Sequence, residues 1–313
     1  MTKGTMIMRR LLVIALATTA AWGALGAQSV PAADKLRIVT STTDLKALTE
    51  VVTGNLAEVD SMARASQNPH DLEVRPSLMV KVRRADAMIV NGLELDLWAD
   101  VVAQGANNAN VIPGAPGRID ASSGILVLEV PKTHVDRSMG DIHPVGNPHY
   151  TLDPGMAPAV TQNILEGLAR IAPQHRAAFE RNRQQFLARI DEAMGRWNKM
   201  LAPYKGSPVV VNHALWVYFL TRFGLVQVGT VEERPGIPAT ANHIVKLVNL
   251  MKEDHVKTII AEPWSDFKLV ERIAQEAGAQ AAILAATVGS VKGTDTFLEA
   301  ADFNVKALAQ MLK

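Results

Sequence analysis

The sequence contains no cysteine among its 313 residues. A chain without thiols forms no disulfide bond, holds no zinc ion through thiolates and has no cysteine nucleophile. A lipid anchor attached to a cysteine behind an export signal is excluded for the same reason. The absence of cysteine thus removes several classes of enzyme and of metal site at once.

Three further patterns are missing. No glycine-rich loop of the dinucleotide-binding or P-loop type occurs, which argues against nucleotide chemistry. The His-Glu-x-x-His pattern, which zinc metalloproteases carry on a helix, does not occur either. Finally, basic residues are not in marked excess, since the formal net charge is +1 at pH 7. Without a basic surface we expect no binding to nucleic acid.

The first 27 residues have the order of a secretory signal peptide. Basic residues precede the apolar run 11–17, and small residues follow up to Ala27. The run is too short to span a membrane, so a transmembrane anchor is the weaker interpretation. We expect cleavage after Ala27, with Ala32 or Ala33 as alternatives. Removing residues 1–27 takes away three basic and no acidic residues, so the net charge changes from +1 to −2. We therefore expect a periplasmic protein, exported by this signal and not lipid-anchored.

Strands and helices are predicted to alternate behind this signal. Leu36–Thr40 is rich in β-branched and apolar residues, and the polar residues after it are suited to begin a helix. The same order repeats to the end of the chain, with short strands also predicted at 111–112 and 125–128. This alternation predicts the α/β class, with mostly parallel sheets flanked by helices.

One predicted helix is much longer than the others. Between residues 173 and 202, apolar side chains recur at steps of three, four and seven, and polar side chains occupy the opposite face. About 28 residues at 1.5 Å each give roughly 40 Å, more than most helices of a small domain. We interpret this helix as a rigid link (173–202) between two similar lobes, at 34–172 and 203–313. An outer helix of a single larger domain is the alternative.

Three histidines are candidate metal ligands. His70 and His149 each follow an Asn-Pro pair, in which the fixed φ of proline stiffens the backbone before the imidazole. His213 follows the apolar run 209–211 and Asn212. Open α/β sheets bind ligands at the carboxyl ends of their strands. Three neutral imidazoles with one further ligand would form a tetrahedral site that favours Zn(II).

Several residues compete for the fourth ligand position. Glu262 is the first candidate because it follows a predicted buried strand of the second half. Capping of the next helix or pairing with a cation is its alternative role. Glu232 and Glu233 lie in a loop with proline and glycine that could cover the cleft, and water could also complete the site. Asp44 could reach the cleft from the end of the first strand. We expect His143, the nearest competitor of His149, to support a ligand rather than hold the ion.

The sequence also carries an ordered set of motifs. The block Asn-Pro-His-aromatic-x-Leu-Asp-Pro at 147–154 is fairly specific. The remaining motifs are Asn68-Pro69-His70, Pro76-Ser77, Ala85-Asp86, Asn91-Gly-Leu-Glu-Leu, His213 with Trp216 and Tyr218-Phe219, and Asn304. In this order they resemble the solute-binding proteins of bacterial metal-ion ABC transporters, the zinc and manganese receptor group, over nearly all of the chain behind the signal.

This resemblance implies two α/β lobes joined by one long helix, with the metal ion in the cleft between them. It implies ligands at His70 and His149 from the first lobe and at His213 from the second. Many members take their fourth ligand from an aspartate shortly before the last helix, but residues 284–289 contain no carboxylate. Glu262, a loop glutamate or water is left for that position. A histidine at 213, where manganese receptors often have glutamate, favours zinc.

The predicted function is therefore a periplasmic binding protein that captures Zn(II) and delivers it to a membrane ABC permease. We expect a monomer without catalytic activity. A Mn(II) receptor of the same group is the nearest alternative. A secreted zinc hydrolase with Glu262 as general base is a second alternative. A surface adhesin is a third, against which the missing lipid anchor counts.

Overall fold

The computed structural model describes residues 35–135 and 140–313. The predicted signal peptide at 1–27 lies outside these ranges and stays a prediction. Within them, none of the helices combines the length and the apolar character that a membrane crossing needs.

The first half of the described chain forms a four-stranded sheet with the strand order β2-β1-β3-β4, in which all neighbours are parallel. Helices separate the strands, as parallel pairing requires. Their bounds are β1 Leu36–Thr40, α1 Thr43–Thr53, β2 Ala57–Ser61, α2 Pro76–Val82, β3 Ala87–Val90, α3 Trp98–Gly105, β4 Arg118–Asp120 and α4 Ala157–Ile171. All four residues of β3 are buried, which is typical of a central strand covered on both faces.

The second half repeats this plan with the strand order β6-β5-β7-β8, again fully parallel. The bounds are α5 Arg176–Leu201, β5 Pro208–Val211, α6 Val217–Phe223, β6 Val226–Thr230, α7 Ala241–Glu253, β7 Thr258–Ala261, α8 Phe267–Ala277, β8 Gln280–Ile283 and α9 Phe297–Met311. The predicted α/β class with two parallel sheets is confirmed.

The helix α5 joins the two lobes. Its 26 residues correspond to about 39 Å at 1.5 Å per residue. Phe179 and Phe186, in its first half, pack in the core of the first sheet, whereas Trp197 and Leu201 near its end pack in the core of the second. One amphipathic face thus contributes to two cores, which is why this helix is long. The exact lobe boundaries stay a prediction.

Two short strands were predicted in the wrong place. Residues 111–112 lie in a turn and residues 125–128 in an extended loop without strand pairing, whereas the fourth strand is Arg118–Asp120. Val111 and Ile125 are nevertheless buried. Their apolar character therefore reflects packing against the core rather than pairing in a sheet.

The loops that carry the candidate ligands lie at the carboxyl ends of the strands. Asn91, directly after β3, donates from Nδ2 to the carbonyl of Pro148 at 3.0 Å, and the Tyr150 hydroxyl donates to the carbonyl of Asn91 at 2.7 Å. His213 lies two residues beyond β5. Both sheets therefore direct their carboxyl ends towards the same cleft, as expected for ligand sites of this architecture.

Candidate metal centre

The repeated Asn-Pro-His motif is a structural unit. In each copy the asparagine Oδ1 accepts the backbone N–H of the histidine two residues later, at 3.1 Å for Asn68 and His70 and at 3.0 Å for Asn147 and His149. The proline between them fixes φ, so the turn closes on one geometry. Each histidine therefore starts from a backbone held in place by its own motif.

Asn147 also fixes the ring of His149. Its Nδ2 donates to Glu129 and to the carbonyl of Ala214, each at 2.8 Å, so its Oδ1 is left as acceptor. That oxygen lies 2.9 Å from His149 Nδ1. The ring must therefore carry its proton on Nδ1, and the lone pair of Nε2 remains available for a metal ion. The bond to Ala214, next to His213, also ties the two halves of the site together.

His213 is oriented by a carboxylate in the same manner. Its Nδ1 lies 2.7 Å from Glu232 Oε2, and this oxygen also accepts the N–H of Gly236 at 2.7 Å. A carboxylate on Nδ1 turns Nε2 towards the cleft and raises the basicity of the ligand. Glu232 in the loop after β6 thus orients His213 and, through the N–H of Gly236, also stabilises the turn of its own loop.

These motifs bring three imidazoles to one point. Among residues 35–135 and 140–313, the group of side chains able to share one ion consists of His70, His149 and His213, whose ligand atoms all lie within 4.8 Å of one another. Nε2 of His70 and Nε2 of His149 are 3.0 Å apart. Two ligands of a tetrahedral zinc ion lie roughly 3.3 Å apart when each Zn–N bond is about 2.0–2.1 Å. The spacing therefore suits an ion of this kind.

The electrostatics divide the three histidines into two kinds. Burial lowers the pKa of His70 and of His149 well below the usual value, and the neighbouring histidines lower both pKa values further. Burial alone would also lower the pKa of His213. The hydrogen bond and charge of Glu232, together with the charges of Glu262 and Asp141, outweigh burial, so this pKa is raised. At neutral pH, His70 and His149 are therefore neutral and ready to bind a cation, whereas His213 competes for a proton.

Comparison with known proteins assigns the family. Residues 38–311 match the profile of the ZnuA family, described as zinc-uptake complex component A, periplasmic. The chain belongs to the ZnuA family.

Relatives and solved structures of this family agree with that assignment. The zinc-binding protein AdcA of Streptococcus pyogenes is 25% identical over 280 residues, which cover 87% of this chain and 54% of AdcA. The chain thus spans about half the length of this relative. The high-affinity zinc uptake system protein ZnuA of Bacillus subtilis is 23% identical over 254 residues, covering 80% of this chain and 78% of that protein. A crystal structure of ZnuA superposes with a TM-score of 0.73 at 26% identity, covering 88% of this chain and 97% of that one.

The structure does not bring Glu262 into the group of three histidines. Its side chain is fully buried, with Oε1 accepting from Trp216 Nε1 at 2.8 Å and Oε2 accepting from Asn212 Nδ2 at 3.0 Å. Burial raises the pKa of Glu262, while His213 and these two donors lower it. In this position the carboxylate holds Asn212, the residue before His213. Ligation by Glu262 stays a prediction.

The other candidates for the fourth position also have contacts of their own. Glu232 is bonded to His213, and the exposed Glu233 accepts a hydrogen bond from Thr240. Asp44 is buried and accepts the N–H of Val288 at 3.1 Å. His143 lies outside the group of three, with its ring stacked on that of His70 at a centroid distance of 5.1 Å. The supporting role predicted for His143 stays a prediction.

Sequence reasoning missed the positioning residues of this site. The hydrogen bonds of Asn147 to His149 and Ala214, and that of Glu232 to His213, were not predicted. The asparagine two residues before both His70 and His149 was a signal from which the bond between Asn147 and His149 could have been predicted. Nothing in the sequence separates Glu232 from its neighbour Glu233, because the contact with His213 depends on how β5 and β6 pair.

The raised pKa of His213 predicts how zinc binding depends on pH. We expect the affinity to be constant above this pKa and to fall by about tenfold per pH unit below it, since one proton must leave His213. Glu232→Gln removes the hydrogen-bonded charge among the three that raise the pKa of His213, so the fall should begin at lower pH. Chelator-competition titrations between about pH 5 and pH 8 would measure both curves.

Glu233→Gln is the matched control, because Glu233 is exposed and forms its hydrogen bond with Thr240 rather than with His213. Its curve should coincide with that of the unchanged protein. Identical curves for Glu232→Gln and Glu233→Gln would show that Glu232 does not set the proton affinity of His213.

Proposed function

We propose that this chain captures Zn(II) in the periplasm and delivers it to an ABC permease for uptake. The observation that carries this proposal is the convergence of His70, His149 and His213, each from a different loop, within 4.8 Å. Two of the three rings are held by partners on Nδ1, which leaves Nε2 free for an ion. Membership of the ZnuA family supports both the cargo and the permease as partner.

The donor set supports zinc over manganese. Imidazole nitrogen suits zinc, whereas manganese is better suited by carboxylate, carbonyl and water oxygens. The group of three in the described residues contains nitrogen donors alone, and Glu262 is engaged by Trp216 and Asn212. Zn(II) is therefore the first candidate for the cargo, and a Mn(II) receptor is the second. For the hydrolase, the same two hydrogen bonds occupy the glutamate that would have to act as general base.

We further propose that the ion is released by local loop movement. The loop after β6 contacts the loop around residue 141, where the N–H of Asp141 donates to the carbonyl of Pro235 at 2.9 Å. Opening this contact would expose the cavity of about 280 Å³ that His143, His149 and His213 line. The helix α5, packed in both cores, opposes a wide rotation of the lobes.

Direct competition between the two metals tests the cargo. We expect calorimetric titration of the metal-free protein to show one Zn(II) per chain, and Mn(II) in excess to leave this binding largely intact. The physical reason is the nitrogen donor set. Displacement of Zn(II) by an equal concentration of Mn(II) would establish the manganese receptor instead. Absence of one-to-one binding by either metal would contradict the proposed function.

A further inference from the structure

One nitrogen near the group of three histidines has no assigned role. Nε2 of His143 is buried and has no hydrogen-bond partner among residues 35–135 and 140–313. Buried polar atoms are almost always hydrogen-bonded, so an exception needs a physical explanation. The ring of His143 lies nearly parallel to that of His70, with an interplanar angle of 23° and a centroid distance of 5.1 Å. An unpartnered imidazole nitrogen thus lies next to a candidate ligand.

The segment that carries His143 is fixed at both ends. On one side, the N–H of Asp141 donates to the carbonyl of Pro235 at 2.9 Å. On the other side, the N–H of Gly146 donates to the carbonyl of His143 at 3.1 Å, and the N–H of Asn147 donates to the carbonyl of Leu128 at 2.9 Å. His143 lines the same cavity as His149 and His213. The backbone therefore presents this ring to the site rather than to solvent.

The site also lacks a fourth protein ligand from the segment before α9. There the N–H of Val288 donates to Asp44, and the Thr287 hydroxyl donates to the carbonyl of Ala65. Residues 284–289 of this segment pack on the first half of the chain and contain no carboxylate. A four-coordinate zinc ion would still need one more ligand beyond the three histidines.

We propose that His143 supplies the fourth ligand through Nε2, which gives a site of four imidazoles for a borderline-soft divalent cation. The inference rests on the proposed function and names a ligand beyond the group of three. His143 lies outside the 4.8 Å group, so its ring has to approach Nε2 of His70 and of His149 when the ion binds. Gly140 and Gly146, with φ of 78° and 105°, flank the segment that carries His143. Four nitrogen ligands would select strongly against manganese.

X-ray absorption at the zinc edge, together with affinity, tests the proposal. The zinc-loaded full chain is expected to show four imidazole ligands, and His143→Ala three. We expect His143→Ala to weaken zinc binding by more than about 100-fold, beyond the 10–100-fold typical of residues that only support a ligand. His134→Ala, which removes an exposed histidine nine residues earlier, should change neither quantity.

The possible outcomes separate this inference from the proposed function. Four imidazoles in the unchanged protein and three in His143→Ala establish His143 as a ligand. Three imidazoles in both proteins overturn the inference, whether or not the affinity falls, but leave zinc capture intact. No zinc binding by the unchanged protein overturns the proposed function as well. The ligand count of the unchanged protein decides the question even if His143→Ala fails to fold.

Discussion

A His213→Ala protein is expected to bind Zn(II) about 10²–10³-fold more weakly than the unchanged chain. A fully liganded structural zinc site binds with about 10–16 kcal/mol, so each of four ligands contributes roughly 2.5–4 kcal/mol. In the proposed site, His213 is the ligand from the second sheet, and only 4% of its surface is exposed. Its loss removes the contact between the ion and that half of the protein. Chelator competition would measure the affinity.

His255→Asn is the matched control for this experiment. His255 is an exposed histidine of the same half, and its φ of 55° is one that asparagine tolerates. The control should bind zinc as the unchanged protein does. If His213→Ala also kept the original affinity, His213 would not be a ligand and the site would have to lie elsewhere.

The Arg222→Ala protein is expected to lose about 3 kcal/mol of unfolding free energy. Arg222 donates to both oxygens of Asp153, from Nε to Oδ1 at 2.8 Å and from Nη2 to Oδ2 at 2.8 Å. The Asp153 side chain is only 3% exposed, so removing Arg222 leaves a buried carboxylate whose remaining partner is the N–H of Gly155. In a chain of this size the melting temperature should fall by about 5 °C.

Thermal and urea unfolding would measure this loss. Arg196→Ala is the control, because Arg196 pairs with Glu192 on the exposed face of α5, four residues apart. Exposed pairs of this spacing contribute about 0.3–0.5 kcal/mol. Equal losses in Arg222→Ala and Arg196→Ala would show that the ion pair of Arg222 with Asp153 stabilises the protein no more than an exposed pair does.

The position of Arg222 also explains the glycine at 155, because a Cβ on Gly155 would lie 2.4 Å from the Arg222 guanidinium.

The fold could be predicted wherever the sequence pattern was set by local requirements. Strand and helix alternation gave the class, and the apolar face around Phe186 and Trp197 gave the connecting helix. The strand Arg118–Asp120 was missed because it has three residues, two of them charged. The strands predicted at Val111 and Ile125 were wrong because a buried turn or loop requires the same apolar side chains as a buried strand.

Candidate ligands could be predicted only where the adjacent sequence marked them. Asn-Pro-His marked His70 and His149, because the asparagine and proline that fix each histidine are adjacent to it. The surroundings of Glu262 were not visible, since its partners Trp216 and Asn212 precede it by 46 and 50 residues. Which acidic side chain faces which histidine is decided by tertiary packing.

The division into lobes likewise depends on tertiary packing that the sequence does not reveal. Residues Ala285, Val288 and Phe297 of the second half pack in the core that contains Leu45 and Phe179 of the first half and α5. A split at 34–172 and 203–313 follows the order of the sequence, but the cores interlock across it. Such contacts between segments more than 100 residues apart leave no periodic pattern in either segment.

A crystal structure of the zinc-loaded protein, with anomalous scattering collected at the zinc edge, tests the central claim most directly. We predict one strong peak per chain, bonded to nitrogens of His70, His149 and His213 at about 2.0–2.1 Å. A peak bound mainly by carboxylates, or one remote from these three histidines, would contradict the claim that this chain is a zinc receptor with a histidine site.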